Sequence, residues 1–346
     1  MPALTRRRVL FGGAAVGTGA LLTACTSNTP ENNTQVNTNA GGGVNAAAGQ
    51  KVIIGFSAPA ADHGWVAAIT NNAKAQAATY SDVEFRAVAA GNDAAAQRAA
   101  ISTLISQKPT VIVLLPHDGK ELNSAGIEAM KAGIPVVNLD RAFPSANAYR
   151  LQIKGDNFGM GIAAGTYIGE QLKAKGVGNP VIGEIPGIDS LELTQERSQG
   201  FRTALATYGF RVANRRPAEF TADSGQTAAT SLLQALPKMD ALWNHDDDQG
   251  IGVLAAIKQA NRTEFFMVGG AGSKAAIDAI TADNSVLKAT VTYSPSMASS
   301  AISLARLIGQ GKGMSDLVEL QVPKEITLAS ETITKDNAAK YAKLGF

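Results

Sequence analysis

An acidic and a basic residue stand side by side after an apolar run. Residues 134–139 are rich in β-branched side chains and predict a buried strand, which Asp140 and Arg141 follow directly. A carboxylate only accepts hydrogen bonds and a guanidinium only donates them, whereas a sugar hydroxyl does both. The pair is therefore suited to binding neighbouring hydroxyls of one ligand. A surface ion pair at a strand end is the alternative interpretation.

Other polar and aromatic side chains stand at the ends of other apolar runs. The carboxyl ends of parallel strands meet at one edge of a sheet, and open α/β sheets bind ligands outside that edge. Aromatic rings there can pack on the C–H groups of a sugar, while a few polar groups set its orientation. All three histidines and both tryptophans fall at or beside such positions, which include Asp62, His63, Trp65, His117, Asn157, Trp243, His245, Asp246 and Tyr293.

Some residues near these positions also have structural interpretations. We expect Trp243 to pack within its strand, and Asp247 and Asp248 to be solvated or to cap the following helix. Residues 269–272 predict a tight turn, because they lack the spacing of a dinucleotide-binding loop. Asn157 is equally suited to contacting a ligand and to holding a hinge.

Short apolar runs alternate with alanine-rich segments of helical period from residue 51 onwards, which predicts parallel α/β structure. The length of this part favours two domains. The same alternation of strand-like and helix-like segments occurs before and after Gly155, which suggests two halves with the same architecture. The predicted helices lie between strands, the first at 65–80 and the last at 295–309. The predicted strands are 52–57, 83–88, 111–115, 134–139, 151–154, 181–185, 211–220, 241–244, 265–269 and 289–292.

The first 24 residues predict an export signal. An arginine run at residues 6–8 precedes a short apolar stretch, residues 11–22, as in a twin-arginine signal. Residues 22–25, Leu-Thr-Ala-Cys, resemble the lipobox at which bacterial lipoproteins are cleaved and lipidated on the cysteine. Cys25 is the only cysteine, so the chain cannot form an internal disulfide, and lipidation explains the lone thiol.

Residues 25–50 are polar, small and without apolar period, which predicts a flexible tether. Without the three arginines of the signal, 28 Lys and Arg nearly balance 29 Asp and Glu. This composition offers no basic field for nucleic acid. No later apolar run is long enough for a transmembrane helix, so we expect membrane attachment through the lipid alone.

Several short motifs, in their order and spacing, resemble one family. They are Asp62-His63-Gly64-Trp65, Leu139-Asp140-Arg141, residues 155–159, residues 196–201, residues 244–247 and residues 333–337 with Tyr341. Residues 51–346 are similar to periplasmic binding proteins of the ribose-binding type, the solute receptors of carbohydrate ABC importers. The resemblance implies two doubly wound parallel-sheet α/β domains joined by a three-crossover hinge, the type I fold. The implied domains are 51–155 plus 294–323 and 156–293 plus 324–346.

The resemblance also implies roles for single residues. Asp140 and Arg141 match the acid and base that hold sugar hydroxyls, Arg197 matches an arginine of the second domain, and Asp246 matches a polar contact. Trp65 matches a stacking ring, and Tyr293 replaces a glutamine of the ribose receptor. The expected ligand-binding set is Asp62, His63, Trp65, His117, Asp140, Arg141, Asn157, Arg197, Asp246 and Tyr293.

Two departures from the ribose receptor argue against a ribose site. Gly270-Ala271 replaces a Phe-Asp pair, and Leu115, followed by Pro116 and His117, replaces an asparagine. Pentoses, hexoses, inositols and linear sugar alcohols all remain candidate ligands.

The sequence thus predicts an exported, lipid-anchored monomer that captures a small sugar or sugar alcohol and delivers it to an ABC permease. It predicts no cofactor, no metal and no enzyme activity. A receptor that feeds a sensor kinase remains an alternative. A metal-dependent enzyme that uses the strand-end His and Asp residues is a second alternative. The sequence lacks the His-Glu-x-x-His spacing with which a helix presents metal ligands. A lac-type repressor would carry a helix-turn-helix where this chain has an export signal.

Overall fold

The computed structural model describes residues 45–315, 317–343 and 345–346. The predicted export signal, Cys25 and the tether up to residue 44 lie outside the described residues. None of the helices in the described part is both long enough and apolar enough to cross a membrane.

Twelve strands of the described residues form two six-stranded sheets. The first sheet has the order β11-β5-β4-β3-β1-β2, and all its pairs are parallel. Its strands are β1 (Val52–Ser57), β2 (Val83–Ala87), β3 (Val111–Leu114), β4 (Val136–Leu139), β5 (Leu151–Gly155) and β11 (Glu325–Leu328).

The second sheet has the order β12-β10-β9-β8-β6-β7 and is parallel except for the antiparallel pair of β10 and β12. Its strands are β6 (Ile182–Ile185), β7 (Val212–Arg215), β8 (Ala241–Asn244), β9 (Phe266–Ala271), β10 (Leu287–Thr292) and β12 (Thr332–Thr334). We call the first sheet with its packed helices the first lobe, and the second sheet with its packed helices the second lobe.

Within the described residues, a helix follows each strand except β4 and β11. The helices are α1 (Gly64–Ala78), α2 (Ala94–Ser106), α3 (Gly119–Lys131), α4 (Asn157–Ala174), α5 (Glu192–Thr207), α6 (Ala222–Ala235), α7 (Asp247–Gln259), α8 (Lys274–Ala282), α9 (Met297–Gly309) and α10 (Ala338–Tyr341). The chain passes from one sheet to the other after β5, after β10 and after β11. The predicted architecture of two parallel α/β halves is confirmed.

Strand ends and helix starts are set by the same short loops. β3 and β4 are buried along their whole length, as their β-branched sequences predict. Aspartates in the loops after β3 and β5 begin the next helices: Asp118 accepts from backbone N–H groups of α3, and Asp156 from one of α4. The largest cluster of buried apolar side chains includes residues of both sheets, among them Leu139 and Trp243.

Three elements differ from the sequence prediction. The predicted strand 211–220 ends at Arg215, because Pro217 has no N–H for the sheet and Phe220 has a left-handed φ of 63°. The short edge strands β11 and β12 were not predicted. β11 pairs with β5 of the first sheet, with Ile326 opposite Ile153. It therefore lies with the first sheet, although the expected boundary after residue 323 assigned it to the second domain.

Candidate functional site

A cavity lies where the carboxyl ends of the two sheets face each other. It holds about 330 Å³ of atom-free space, counting its open mouth. Residues from both lobes line it: His63, Trp65, Asp140, Arg141, Leu193, Arg197, Phe220, Asp246, Ala271 and Tyr293. Seven of the ten residues expected to bind ligand are among them.

Asp140 and Arg141 are buried at this cavity, with 4% and 9% of their surfaces exposed. They do not form a surface ion pair, so that interpretation is wrong. Asp140 has a left-handed φ of 66° and accepts a hydrogen bond from the hydroxyl of Tyr293. The guanidinium of Arg141 donates to the carbonyl of His117 at 2.5 Å. Its buried Nε has no hydrogen-bond partner among the described residues, which leaves a donor for a ligand hydroxyl.

Arg197 brings a second guanidinium from α5. Its Nε donates to Oδ1 of Asn157 at 2.9 Å, and one terminal nitrogen lies 3.4 Å from the carbonyl of His245. The guanidinium stands 4.4 Å from the ring centre of Tyr293 and 5.9 Å from that of Phe220. These contacts hold the fork in place by hydrogen bonds and cation–π attraction.

Asp246 supplies the acid of the second lobe. It is the N-cap of α7, and its Oδ1 accepts from the backbone N–H of Gln249 at 3.0 Å. Burial, assisted by the nearby Asp248, raises the pKa of this carboxyl well above its ordinary value. A carboxyl that can be protonated donates as well as accepts hydrogen bonds, which matches the dual character of a hydroxyl.

Aromatic rings form much of the remaining wall. The indole of Trp65 donates to the carbonyl of Tyr293 at 2.9 Å, and the two ring centres are 5.9 Å apart. The rings of His63 and Phe220 stack with centres 6.2 Å apart. Phe220 was missed as a site residue because the sequence placed it in a strand. Its apolar ring directly before the helix cap Thr221, after a proline-containing turn, was the available signal.

Three expected site residues do not line this cavity. Asp62 is exposed and bonds to Nδ1 of His63 at 2.5 Å. His117 contributes its carbonyl to Arg141. Asn157 lines a neighbouring recess and holds Arg197. Leu193 and Ala271, which were not expected, give the cavity an apolar side.

Asp247 is buried, so the expectation that it is solvated or caps a helix is wrong. Its carboxylate accepts from the backbone N–H groups of Gly270, Gly272 and Ser273 at 2.8 to 2.9 Å and from the hydroxyl of Thr290. The predicted tight turn is therefore wrong for most of its length: Gly269, Gly270 and Ala271 are the end of β9, and the loop that follows folds around a carboxylate of the protein. The N–H groups of Gly270, Gly272 and Ser273 are already bonded and cannot cradle a phosphate.

A buried polar network lies behind the second-lobe wall. Nε2 of His245 is 3.0 Å from Oε1 of Glu184, which also accepts from the hydroxyl of Ser198 at 2.5 Å. Burial lowers the pKa of His245 to about 4, so its ring is neutral at neutral pH. Trp243 packs against this imidazole and against Phe201, and does not line the cavity. In the part of the chain that the structure describes, no group of three or more His, Cys, Asp or Glu side chains could hold a metal ion.

A family model described as a periplasmic binding protein domain matches residues 54–313. The ribose import binding protein RbsB of Escherichia coli is 30% identical over 204 residues, 59% of this chain and 67% of that protein. Its counterpart in Bacillus subtilis is 29% identical over 210 residues, 61% of this chain and 66% of that protein. The matched segments thus span about two thirds of these relatives.

A solved structure has the same fold along most of its length. It is an ABC transporter solute binding protein from Mycobacterium smegmatis with bound glycerol, 26% identical to this chain. The superposition has a TM-score of 0.76 and covers 86% of this chain and 98% of that one.

Proposed function

The chain belongs to the periplasmic binding protein family, and from that premise we propose that it is an extracytoplasmic receptor for a small sugar or sugar alcohol. It delivers this ligand to an ABC permease. The observation that carries the proposal is the cavity itself, which combines two acids, two arginines and three aromatic rings from both lobes. The relatives reported above are sugar-binding import proteins, not enzymes.

The balance of charges favours a neutral, polyhydroxylated ligand. Arg141 and Arg197 donate hydrogen bonds, and Asp140 and Asp246 offer acceptors on the opposite lobes. A hydroxyl can satisfy either kind of partner. The apolar faces of Trp65 and Phe220 suit the C–H side of a sugar ring.

Ribose itself is not the ligand we propose. Ala271 and Tyr293 line the cavity. By the resemblance to the ribose type, Ala271 presents a methyl group in place of an acid, and Tyr293 takes the position of a glutamine. The methyl group of Ala271 makes no hydrogen bond to a ligand, and the hydroxyl of Tyr293 already donates to Asp140. Pentoses other than ribose, hexoses, inositols and alditols are the candidates.

The receptor captures ligand by closure of two domains. We assign residues 51–155 with 294–328 to one and 156–293 with 329–346 to the other, following the sheet that each strand joins. A ligand that touches Arg141 in the first lobe and Arg197 in the second is bound fully only when the lobes are closed. That difference in contacts drives the shift of population.

The receptor is a monomer held at the cell membrane by a lipid on Cys25, after removal of residues 1–24. Residues 25–50 form the tether. Its end is fixed on the first lobe, because Arg306 donates to the carbonyls of Asn45 and Ala47 at 2.7 and 2.8 Å.

A thermal-shift screen over pentoses, hexoses, inositols and alditols tests the proposal. A compound that binds only the folded state raises the unfolding temperature by mass action. At a concentration a hundred times its dissociation constant, it adds about 2.7 kcal/mol to the free energy of unfolding. At least one compound should stabilise the wild type and not Arg141→Ala. If no sugar or polyol stabilises the wild type at millimolar concentration, the proposal is wrong.

A further inference from the structure

One carboxylate bridges the two lobes beside the cavity. Asp248 lies in the first turn of α7 in the second lobe, and its Oδ2 accepts from the backbone N–H of Trp65 at 2.9 Å. Trp65 is the second residue of α1 in the first lobe. The N-cap of α1, His63, makes no capping hydrogen bond with its own side chain. The first turn of α1 therefore receives its side-chain acceptor from the opposite lobe.

The position of Asp248 has an electrostatic consequence. The N-terminus of a helix carries a partial positive charge of about half an elementary charge. Asp248 lies in the first turn of one helix and bonds to the first turn of another, so it interacts with two positive helix ends at once. Without the anion, closure would bring two like partial charges together.

Gly64 provides the space for this contact. A Cβ at this position would lie 2.7 Å from Oδ1 of Asp248, closer than such atoms approach. The glycine begins α1 directly before Trp65, whose indole is fixed at its other end by the carbonyl of Tyr293. The backbone N–H of Trp65 is thus bonded to Asp248 of the second lobe, and its indole is bonded to Tyr293, which follows β10.

We propose that Asp248 is the closure residue of the receptor, a positioning residue that binds the N-terminus of α1 in the closed state and so holds Trp65 at the cavity. This inference rests on the proposed function only in the statement that closure accompanies ligand capture. Asp248 does not line the cavity, and it acts on the ligand through Trp65.

A cross-linking reporter measures closure without any ligand. Lys154 and Glu196 face each other from the two lobes, with 3.9 Å between Nζ and Oε1. Cysteines at these two positions, in a chain carrying Cys25→Ser, should be joined by a short bismaleimide at a rate that follows the closed population. Even a rarely closed protein gives a measurable rate.

Three variants are compared with native Asp248 in this background. Asp248→Ala should slow cross-linking about tenfold, which corresponds to about 1.4 kcal/mol. Asp248→Asn should slow it less, because an amide oxygen still accepts the hydrogen bond but carries no charge. Gly64→Ala should slow it by a similar factor to Asp248→Ala, because the added Cβ displaces the carboxylate.

Asp223→Ala is the matched control. Asp223 is an exposed first-turn aspartate of α6 in the same lobe, so its removal costs a similar helix-dipole interaction without a partner in the first lobe. The Asp223→Ala variant should be cross-linked at the same rate as the reporter chain with native Asp223 and Asp248. Ligand-free Asp248→Ala should unfold at the same temperature as ligand-free Asp223→Ala, because the interlobe contact is absent from the open state.

Equal cross-linking rates for native Asp248 and Asp248→Ala would overturn the proposal. A lowered unfolding temperature with an unchanged rate would assign Asp248 a structural role in α7 instead. Both readouts are taken without sugar, so they stand even if no compound of the screen binds. With a compound that binds, Asp248→Ala should speed its dissociation and leave its association rate unchanged.

Discussion

The hydroxyl of Tyr293 donates a hydrogen bond to Oδ1 of Asp140 across 153 residues of sequence. Tyr293 follows β10 at a crossover between the sheets, so a hinge residue orients the acid at the end of β4. Burial, together with the charge of Asp140, raises the pKa of Tyr293 well above its ordinary value, which keeps the phenol a donor. Gly155 admits the ring, since a Cβ there would lie 2.1 Å from Cε2 of Tyr293.

Removal of this hydroxyl should weaken ligand binding. In Tyr293→Phe the carboxylate of Asp140 loses its donor and is no longer pre-oriented, so we expect about tenfold weaker binding of the compound found by the screen. Calorimetric titration measures this loss. Tyr167→Phe is the control, because its hydroxyl makes no hydrogen bond within the described residues. Equal losses in the two variants would contradict a role for the Tyr293 hydroxyl.

Arg141 should be indispensable for binding. Truncation to alanine removes charge-assisted hydrogen bonds worth about 1.5 to 3 kcal/mol each and also removes the cation next to Asp140 in sequence, so the dissociation constant should rise more than about a hundredfold. Arg141→Lys should not restore affinity, because an ammonium lacks the planar fork. Calorimetry on folded variants measures both.

Arg150→Ala is the control for Arg141. The guanidinium of Arg150 also donates to a backbone carbonyl, that of Val322 at 2.8 Å, but it does not line the cavity. The Arg150→Ala variant should bind the ligand with the affinity of the wild type. If Arg141→Ala binds as tightly as Arg150→Ala, the end of β4 is not the binding site.

Acid should destabilise the fold through His245. Burial lowers the pKa of His245 from 6.5 to about 4, so the unfolded state binds more protons than the folded state between these values. Stability from this residue is therefore complete above pH 6.5 and lost as the pH falls towards 4, by about 3 kcal/mol. Burial opposes ionisation of Glu184, but hydrogen bonds from His245 and Ser198 hold the pKa of Glu184 below its ordinary value, which adds loss in the same direction.

Urea unfolding between pH 7.5 and 4.5 checks this dependence. His245→Gln carries no titrating ring, so its stability should vary less across the window from pH 6.5 to 5. Parallel curves for the wild type and His245→Gln would show that another group causes the dependence.

Arg306 should stabilise both the first lobe and the end of the tether. Arg306 and Asp82 form a buried ion pair, with Nε donating to Oδ1 at 2.7 Å, and this bond holds the pKa of Asp82 well below its usual range. Arg306→Ala leaves that carboxylate without its cation and should cost about 3 kcal/mol or more in urea unfolding. It should also open residues 45–50 to proteolysis. Arg86→Ala, which breaks a partly exposed pair with Glu84, should cost much less stability than Arg306→Ala.

Lipidation of Cys25 has a simple test by fractionation. Cys25→Ala should yield protein released from membranes or an uncleaved precursor, because the lipobox cysteine is both the cleavage site and the site of attachment. One acyl chain binds a bilayer only marginally, so stable attachment requires more than one chain on the cysteine. A mature-sized Cys25→Ala protein that remains with membranes would rule out this anchor.

Periodicity alone was enough for most of the secondary structure. Runs such as 52–57 and 241–244 became strands at those residues, because each is too short for a typical helix and is mostly apolar. The position of Asp140 and Arg141 after an apolar strand also placed them at the cavity, since parallel strands bring their carboxyl ends to one edge. Local sequence determined which residues reach that edge.

Only the tertiary structure decided what those residues contact there. Phe220 reaches the cavity through a left-handed turn, which is a backbone conformation that no apolar period records. Asp247 accepts from the end of β9 and from the loop after it, 23 to 26 residues away, and Asp248 accepts from a helix start 183 residues away in the other lobe. A carboxylate at a helix start looks the same in sequence whether it faces water, a turn or another helix. Its partner depends on how the two lobes meet, and that is fixed by packing between distant segments.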